Sequence, residues 1–101
     1  MTKIYIFDID NTICSWEIDY NEAQPFTKRI KYINKLYDEG NTIIFDSARG
    51  TKTGIDWYEI TKKQLEKWGV KYHELRTGVK FAGDVFVDDR ATKDIDFFNM
   101  L

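Results

Sequence analysis

Two acidic pairs stand out by their spacing. Asp8 and Asp10 flank one residue in IYIFDIDNTI, and Asp88 and Asp89 are neighbours in VFVDDR. Each pair ends an apolar run, where a strand would deliver it to one place. Two carboxylates about 4 Å apart in an effective dielectric of about 20 repel by ~4 kcal/mol. A hard divalent cation removes that liability. Mg²⁺ takes oxygen ligands, keeps several waters, and needs only one or two protein carboxylates beside a substrate phosphate. The plainer alternative is that each aspartate only shapes a turn at a strand end. That alternative suits one isolated pair better than two pairs brought together.

Whether they are brought together depends on the elements around them. The chain has 101 residues and reads as a single domain, 1–101. Lys3 to Phe7 is a continuous apolar strand, which suggests burial on both faces of a parallel sheet. A polar stretch with Trp16 and Tyr20 follows. Pro25 suits the first turn of a helix whose inner face is Phe26, Ile30, Ile33 and Tyr37, and Gly40 stops it. Thr42 to Phe45 is the second strand, and Ser47 to Gly54 is a loop. Asp56 and Glu59 predict a capping box for a second helix facing inward with Trp57, Ile60, Leu65 and Trp68. Val70 to Leu75 reads as a third strand, Val85 to Val87 as a fourth, and Ala91 to Phe98 as a last helix.

Alternating strands and helices predict an α/β fold: a small Rossmann-like, three-layer parallel sheet. Right-handed crossovers and short connections favour the strand order 3-2-1-4. Strands 1 and 4 then lie side by side at a switch point, where open α/β sheets bind ligands beyond the carboxyl ends of their strands. Asp8, Asp10, Asp88 and Asp89 all fall there, with Ser47 on the other side of strand 1.

Composition removes several classes. The net charge of −2 argues against bulk nucleic-acid binding, which needs a cationic face. The single cysteine, Cys14, excludes an intrachain disulfide and reads as a small buried hydrophobe. The single histidine, His73, argues against histidine-based phosphatase chemistry. No apolar run reaches the ~20 residues of a membrane helix, and no signal peptide precedes the first strand, so the expected location is cytoplasmic.

The ordered set of residues resembles the haloacid dehalogenase superfamily of phosphotransferases. Asp8-Ile9-Asp10-Asn11-Thr12 is similar to its first motif and Ser47 to its second. Lys80 in Gly78-Val79-Lys80-Phe81 resembles the third, and Val85-Phe86-Val87-Asp88-Asp89 the fourth. The resemblance implies a phosphoric monoester hydrolase using Mg²⁺. Asp8 would be the nucleophile, forming an aspartyl-phosphate. Asp10 would be the general acid and base. Mg²⁺ would be held by Asp8, the Asp10 backbone carbonyl and the Asp88/Asp89 pair, with Asp89 the favoured direct ligand. Ser47 would bond the transferring phosphoryl, and Lys80 would offset its charge. Lys62 and Lys63 are rivals to Lys80, but on a helix they read as a solvated face.

Neither Ile13 to Pro25 nor Gly50 to Gly78 is long enough for the cap domain many members carry, so the chain resembles a capless member. Water would then be excluded by the substrate, by a flap with Trp16 and Tyr20, or by another subunit of a homo-oligomer. The loop Ser47 to Gly54 is similar to that of polynucleotide kinase–phosphatase phosphatase domains and of small hydrolases associated with surface-polysaccharide synthesis. Arg49 and Lys52 are candidate substrate contacts, with solvated loop charges as the equal alternative. The expected substrate is a small phosphorylated metabolite such as a sugar phosphate. A nucleic-acid 3′-phosphatase is the second reading. A phospho-accepting receiver-like module is the third, and the absence of an aspartate in Leu75-Arg76-Thr77 speaks against it.

Overall fold

The computed structural model describes residues 2–79, 83–85, 87 and 89–99. Strand β1 is Ile4–Phe7, helix α1 Thr27–Asp38, β2 Thr42–Ser47, α2 Tyr58–Lys67, β3 Glu74–Thr77 and α3 Asp94–Phe98. The three described strands are all parallel, with β2 in the middle. Tyr5 pairs with Ile43 and Phe7 with Phe45, while Phe45 also pairs with Leu75. This is a small α/β domain, and its order agrees with the 3-2-1 part of the expected sheet. The expected fourth strand contains Phe86, which lies outside the described residues.

The register decides which side chains meet. Phe7, Ile43, Phe45 and Leu75 share one face and join Ile30, Ile33, Leu36, Leu65 and Phe98 from the helices in one buried cluster. Their neighbours on the opposite face fare differently: Ile4 is 69% and Ile6 67% exposed. The expectation that strand 1 is buried on both faces, with helices in three layers, is therefore corrected among the described residues, which form two layers. The reason is handedness. Two successive right-handed crossovers advancing in one direction leave both helices on the same side of the sheet.

Local chemistry sets the element ends. Helix α1 starts two residues later than expected, because Pro25 forms a bridge with Cys14 instead of entering the first turn. Leu36, not Tyr37, completes its buried stripe with Ile30 and Ile33. Tyr37 instead stacks on His73 at 4.6 Å. The His73 ring nitrogen Nδ1 accepts the Ile43 N–H at 3.1 Å, so this histidine closes the sheet just ahead of β3. In place of the expected capping box, α2 has Trp57 as N-cap with no side-chain cap bond, and Asp56 accepts the Tyr58 N–H at 2.9 Å as an Asx turn leading into it. The last helix is shorter than expected, beginning at Asp94.

Helix α3 closes the core with aromatic rings. Phe97 meets Phe7 edge-on at 5.6 Å and Tyr5 at 5.9 Å, and Phe98 stacks on Phe7 at 6.1 Å. Much of the aromatic content is used inside, in pairs each adding about 0.5–1.5 kcal/mol beyond area burial. Phe45, fully buried, touches both Phe7 and Tyr72. Phe45→Ala should lower unfolding free energy by about 3–5 kcal/mol. Urea denaturation is the check, and a loss under 1 kcal/mol would contradict this packing.

Candidate active site

The chain leaves β1 at Phe7 and turns sharply. Asn11 adopts a left-handed backbone, φ 64°, a conformation that Asn tolerates better than most residues. Its N–H bonds the Cys14 carbonyl at 2.8 Å, and the N–H groups of Thr12 and Ile13 both bond the Ile9 carbonyl. This knot sets Asp10 beside Cys14. The chain then makes a flap closed at its base by two bonds. The Ser15 N–H reaches the Gln24 carbonyl at 2.8 Å, and the Gln24 N–H reaches Ser15 Oγ at 2.9 Å. Within the flap, Asp19 caps a single 3-10 turn, Tyr20–Glu22.

On the far side, β2 ends at Ser47, whose buried hydroxyl oxygen accepts the Arg49 N–H at 3.1 Å. Among the described residues the Ser47 hydroxyl hydrogen has no acceptor. The chain then folds back on itself at Gly50, φ 83°, so tightly that a Cβ there would sit 2.1 Å from the Ile55 carbonyl oxygen. Only glycine fits.

These two turns bring Arg49 onto Asp10. Nε donates to Oδ2 at 3.0 Å and Nη2 to Oδ1 at 2.8 Å, a bidentate pair. Nη1 donates to Thr61 Oγ1 at 3.1 Å and to Gln64 Oε1 at 2.6 Å. Nη2 also points at Cys14 Sγ, 3.9 Å away, and the Tyr20 ring covers the guanidinium at 4.6 Å. The Arg49 side chain is 0% exposed and that of Asp10 15%. A buried guanidinium is tolerated only when paired and fully bonded. Here each of its N–H groups has an acceptor.

Arg49, expected as a substrate contact or a solvated loop charge, is neither in this structure: its guanidinium is enclosed and holds Asp10. Lys52 is exposed in the turn that follows. Asp8 is half-buried directly after β1, and Asp89 is exposed. Lys80 and Asp88 lie outside the described residues. Among the described residues, no group of three or more His, Cys, Asp or Glu side chains is gathered as a metal cluster. Asp46 follows Phe45, the register partner of Phe7, as Asp8 follows Phe7. Its Oδ1 is buried and has no hydrogen-bond partner among the described residues.

Thr61 and Gln64 were not foreseen. The signal was present, because Thr61 is four residues from both Trp57 and Leu65 and so interrupts an apolar stripe. Helix α2 buries Thr61 and Leu65, and Ile60 is only half-buried. The helix is turned so that its polar pair meets Arg49.

A second anchor holds the Asp10 loop from behind. Arg29 Nη1 donates to the Thr12 carbonyl at 3.0 Å and to Asp94 of α3 at 2.7 Å. Its guanidinium also lies over the rings of Phe98, at 4.8 Å, and Phe26, at 5.5 Å.

No helix among the described residues is long and apolar enough to cross a membrane. No protein-family model and no curated protein matches the chain. A crystal structure of an MCSG target from Vibrio cholerae is similar to it, with a TM-score of 0.83 and 27% identity. That likeness covers 96% of this chain and 87% of the other.

The Arg49 network makes a stability prediction. Arg49→Lys loses the bidentate fork and strands several acceptors, so it should cost about 3–5 kcal/mol by urea denaturation. Lys52→Ala, on the exposed turn, should stay within about 0.5 kcal/mol of the parent.

Cys14 makes another. Burial, with the Asp10 charge beside it, pushes its thiol from 9.0 up to about 12. The unfolded chain can ionise the thiol near pH 9, whereas the folded chain cannot until near 12. Its contribution to stability is thus complete below pH 9 and declines as pH rises toward 12. Cys14→Ala should flatten that alkaline decline. At pH 8, iodoacetamide should modify Cys14 in urea and leave it intact in the folded chain.

Proposed function

We propose that this chain is a phosphoric monoester hydrolase of the haloacid dehalogenase type, capless, Mg²⁺-dependent, and working through an aspartyl-phosphate on Asp8. The observation that carries the reading is the inequality of the Asp8-Ile9-Asp10 pair. Arg49 takes both carboxylate oxygens of Asp10, at 2.8 and 3.0 Å, while Asp8 sits at the strand end. The two carboxylates are therefore held differently, which supports different roles for them. The sheet order supports the reading as well, since it sets Asp8 and Ser47 at the carboxyl ends of adjacent strands.

The donor set fits a hard cation: Asp8, the Asp10 carbonyl and the Asp88/Asp89 pair offer only oxygen. When bound, Mg²⁺ supplies neutralisation of the phosphoryl charge. The chain's own groups do the rest. An Asp8 carboxylate oxygen forms a bond to phosphorus as the bond to the leaving oxygen breaks, and Asp10 delivers a proton to that oxygen. Asp10 then takes a proton from water. The water oxygen bonds to phosphorus, the Asp8–phosphorus bond breaks, and inorganic phosphate leaves with Asp8 restored. Ser47 donates its hydroxyl hydrogen to a phosphoryl oxygen, and Lys80 offsets the charge. The substrate is a small phosphorylated metabolite such as a sugar phosphate, taken up in the cytoplasm by a chain that can act as a homo-oligomer. With Arg49 enclosed, the exposed Lys52 is the remaining candidate loop cation for it. The nucleic-acid 3′-phosphatase and the receiver-like module remain the alternatives that the assay separates.

The test is phosphate release from p-nitrophenyl phosphate, sugar phosphates and a 3′-phosphorylated oligonucleotide, with Mg²⁺ and with EDTA. Expected is Mg²⁺-dependent turnover on the small esters. Asp8→Asn should abolish it, and Asp10→Asn should reduce it by roughly 10²–10⁴-fold. No turnover by the unaltered chain, or full activity in Asp8→Asn, would sink the reading. A stable aspartyl-phosphate without turnover would favour the receiver-like module.

A further inference from the structure

We infer that Gln64 is a positioning residue which sets Asp10 through Arg49 and, with the other end of the same amide, clasps the flap over the site. The inference rests on the phosphatase reading for its catalytic half. Gln64 Oε1 accepts from Arg49 Nη1 at 2.6 Å, and Gln64 Nε2 donates to the Tyr20 carbonyl at 2.6 Å. One amide group therefore joins three parts of the chain: helix α2, the loop after β2, and the 3-10 turn of the flap. The two contacts also fix the amide's orientation, since only its oxygen can accept from a guanidinium and only its nitrogen can donate to a carbonyl.

One amide does both jobs, through different atoms. The Tyr20 ring rests on the guanidinium at 4.6 Å and meets Trp57 edge-on at 4.9 Å. Moving the flap therefore moves the lid on Arg49. Thr61 bonds the same Nη1 as Gln64, so α2 grips the guanidinium at two points one helical turn apart. The opposite edge of the fork holds Asp10. A tilt of the fork at Gln64 is transmitted to Asp10 because the guanidinium is planar and rigid.

The experiment compares kcat/KM on two esters. p-Nitrophenyl phosphate expels a weakly basic oxygen that needs little protonation, whereas an alkyl phosphate such as glycerol phosphate needs a well-placed acid. Gln64→Met removes both contacts. It should lower kcat/KM about tenfold or more on the alkyl ester and under about threefold on the nitrophenyl ester. Gln64→Glu keeps an acceptor for Arg49 and loses the donor to Tyr20. It should recover the alkyl ester to within about threefold of the parent. Flap order is read without catalysis, by hydrogen exchange of residues 15–24, which should speed up in both variants. Equal losses on the two esters, no recovery in Gln64→Glu, or unchanged flap exchange would overturn the inference while leaving the phosphatase reading intact. An unaltered chain without activity on either ester would remove both.

Discussion

The buried ion pair between Arg49 and Asp10 is the constraint around which the rest of the site is arranged. An enclosed guanidinium is costly unless its donors are met. Here they are met from the loop after β1, from α2 and from Cys14, with a Tyr20 ring laid across the top. The loop after β1, helix α2 and the flap are thereby held to one planar group. The turns at Asn11 and Gly50, both with positive φ, flank the two partners in the chain. The orientation of α2 follows from the same demand, since it places Thr61 and Gln64 inward at some expense to the burial of Ile60.

The core supplies the rigidity that such a pair needs. Among the described residues the buried apolar side chains form one cluster, closed by the aromatic rings of α3. Arg29 couples that closure to the site. It bonds both Asp94 at the start of α3 and the Thr12 carbonyl in the loop that carries Asp10. The position of the loop is therefore linked to the docking of the last helix. Among the described residues two buried side-chain oxygens lack a hydrogen-bond partner, Asp46 Oδ1 in β2 and Thr51 Oγ1 in the loop that follows it.

Much of this was legible from residue order. Apolar runs ending in aspartate located β1 and β2, and glycine at Gly40 marked the end of α1, where it takes φ 94°. The inner face of α2 was read less well, because its polar members are paid for by a partner far along the chain. Thr61 and Gln64 look like surface residues until Arg49 is placed between them and Asp10. Arg49 itself carried two readings, as a substrate contact or as a solvated charge. Neither considered that it is thirty-nine positions from a carboxylate that the fold would set against it.

By itself, the sequence determined the kind of domain and the chemistry available to it: parallel strands alternating with helices, and oxygen donors with a hydroxyl at strand ends. Those are local properties, set by periodicity, turn residues and side-chain type. Tertiary structure alone decided that the helices cover one face and that Asp10 belongs to Arg49. Burial and charge pairing depend on which distant segments become neighbours, and the energy of a buried charge is settled by its surroundings, not by its place in the chain.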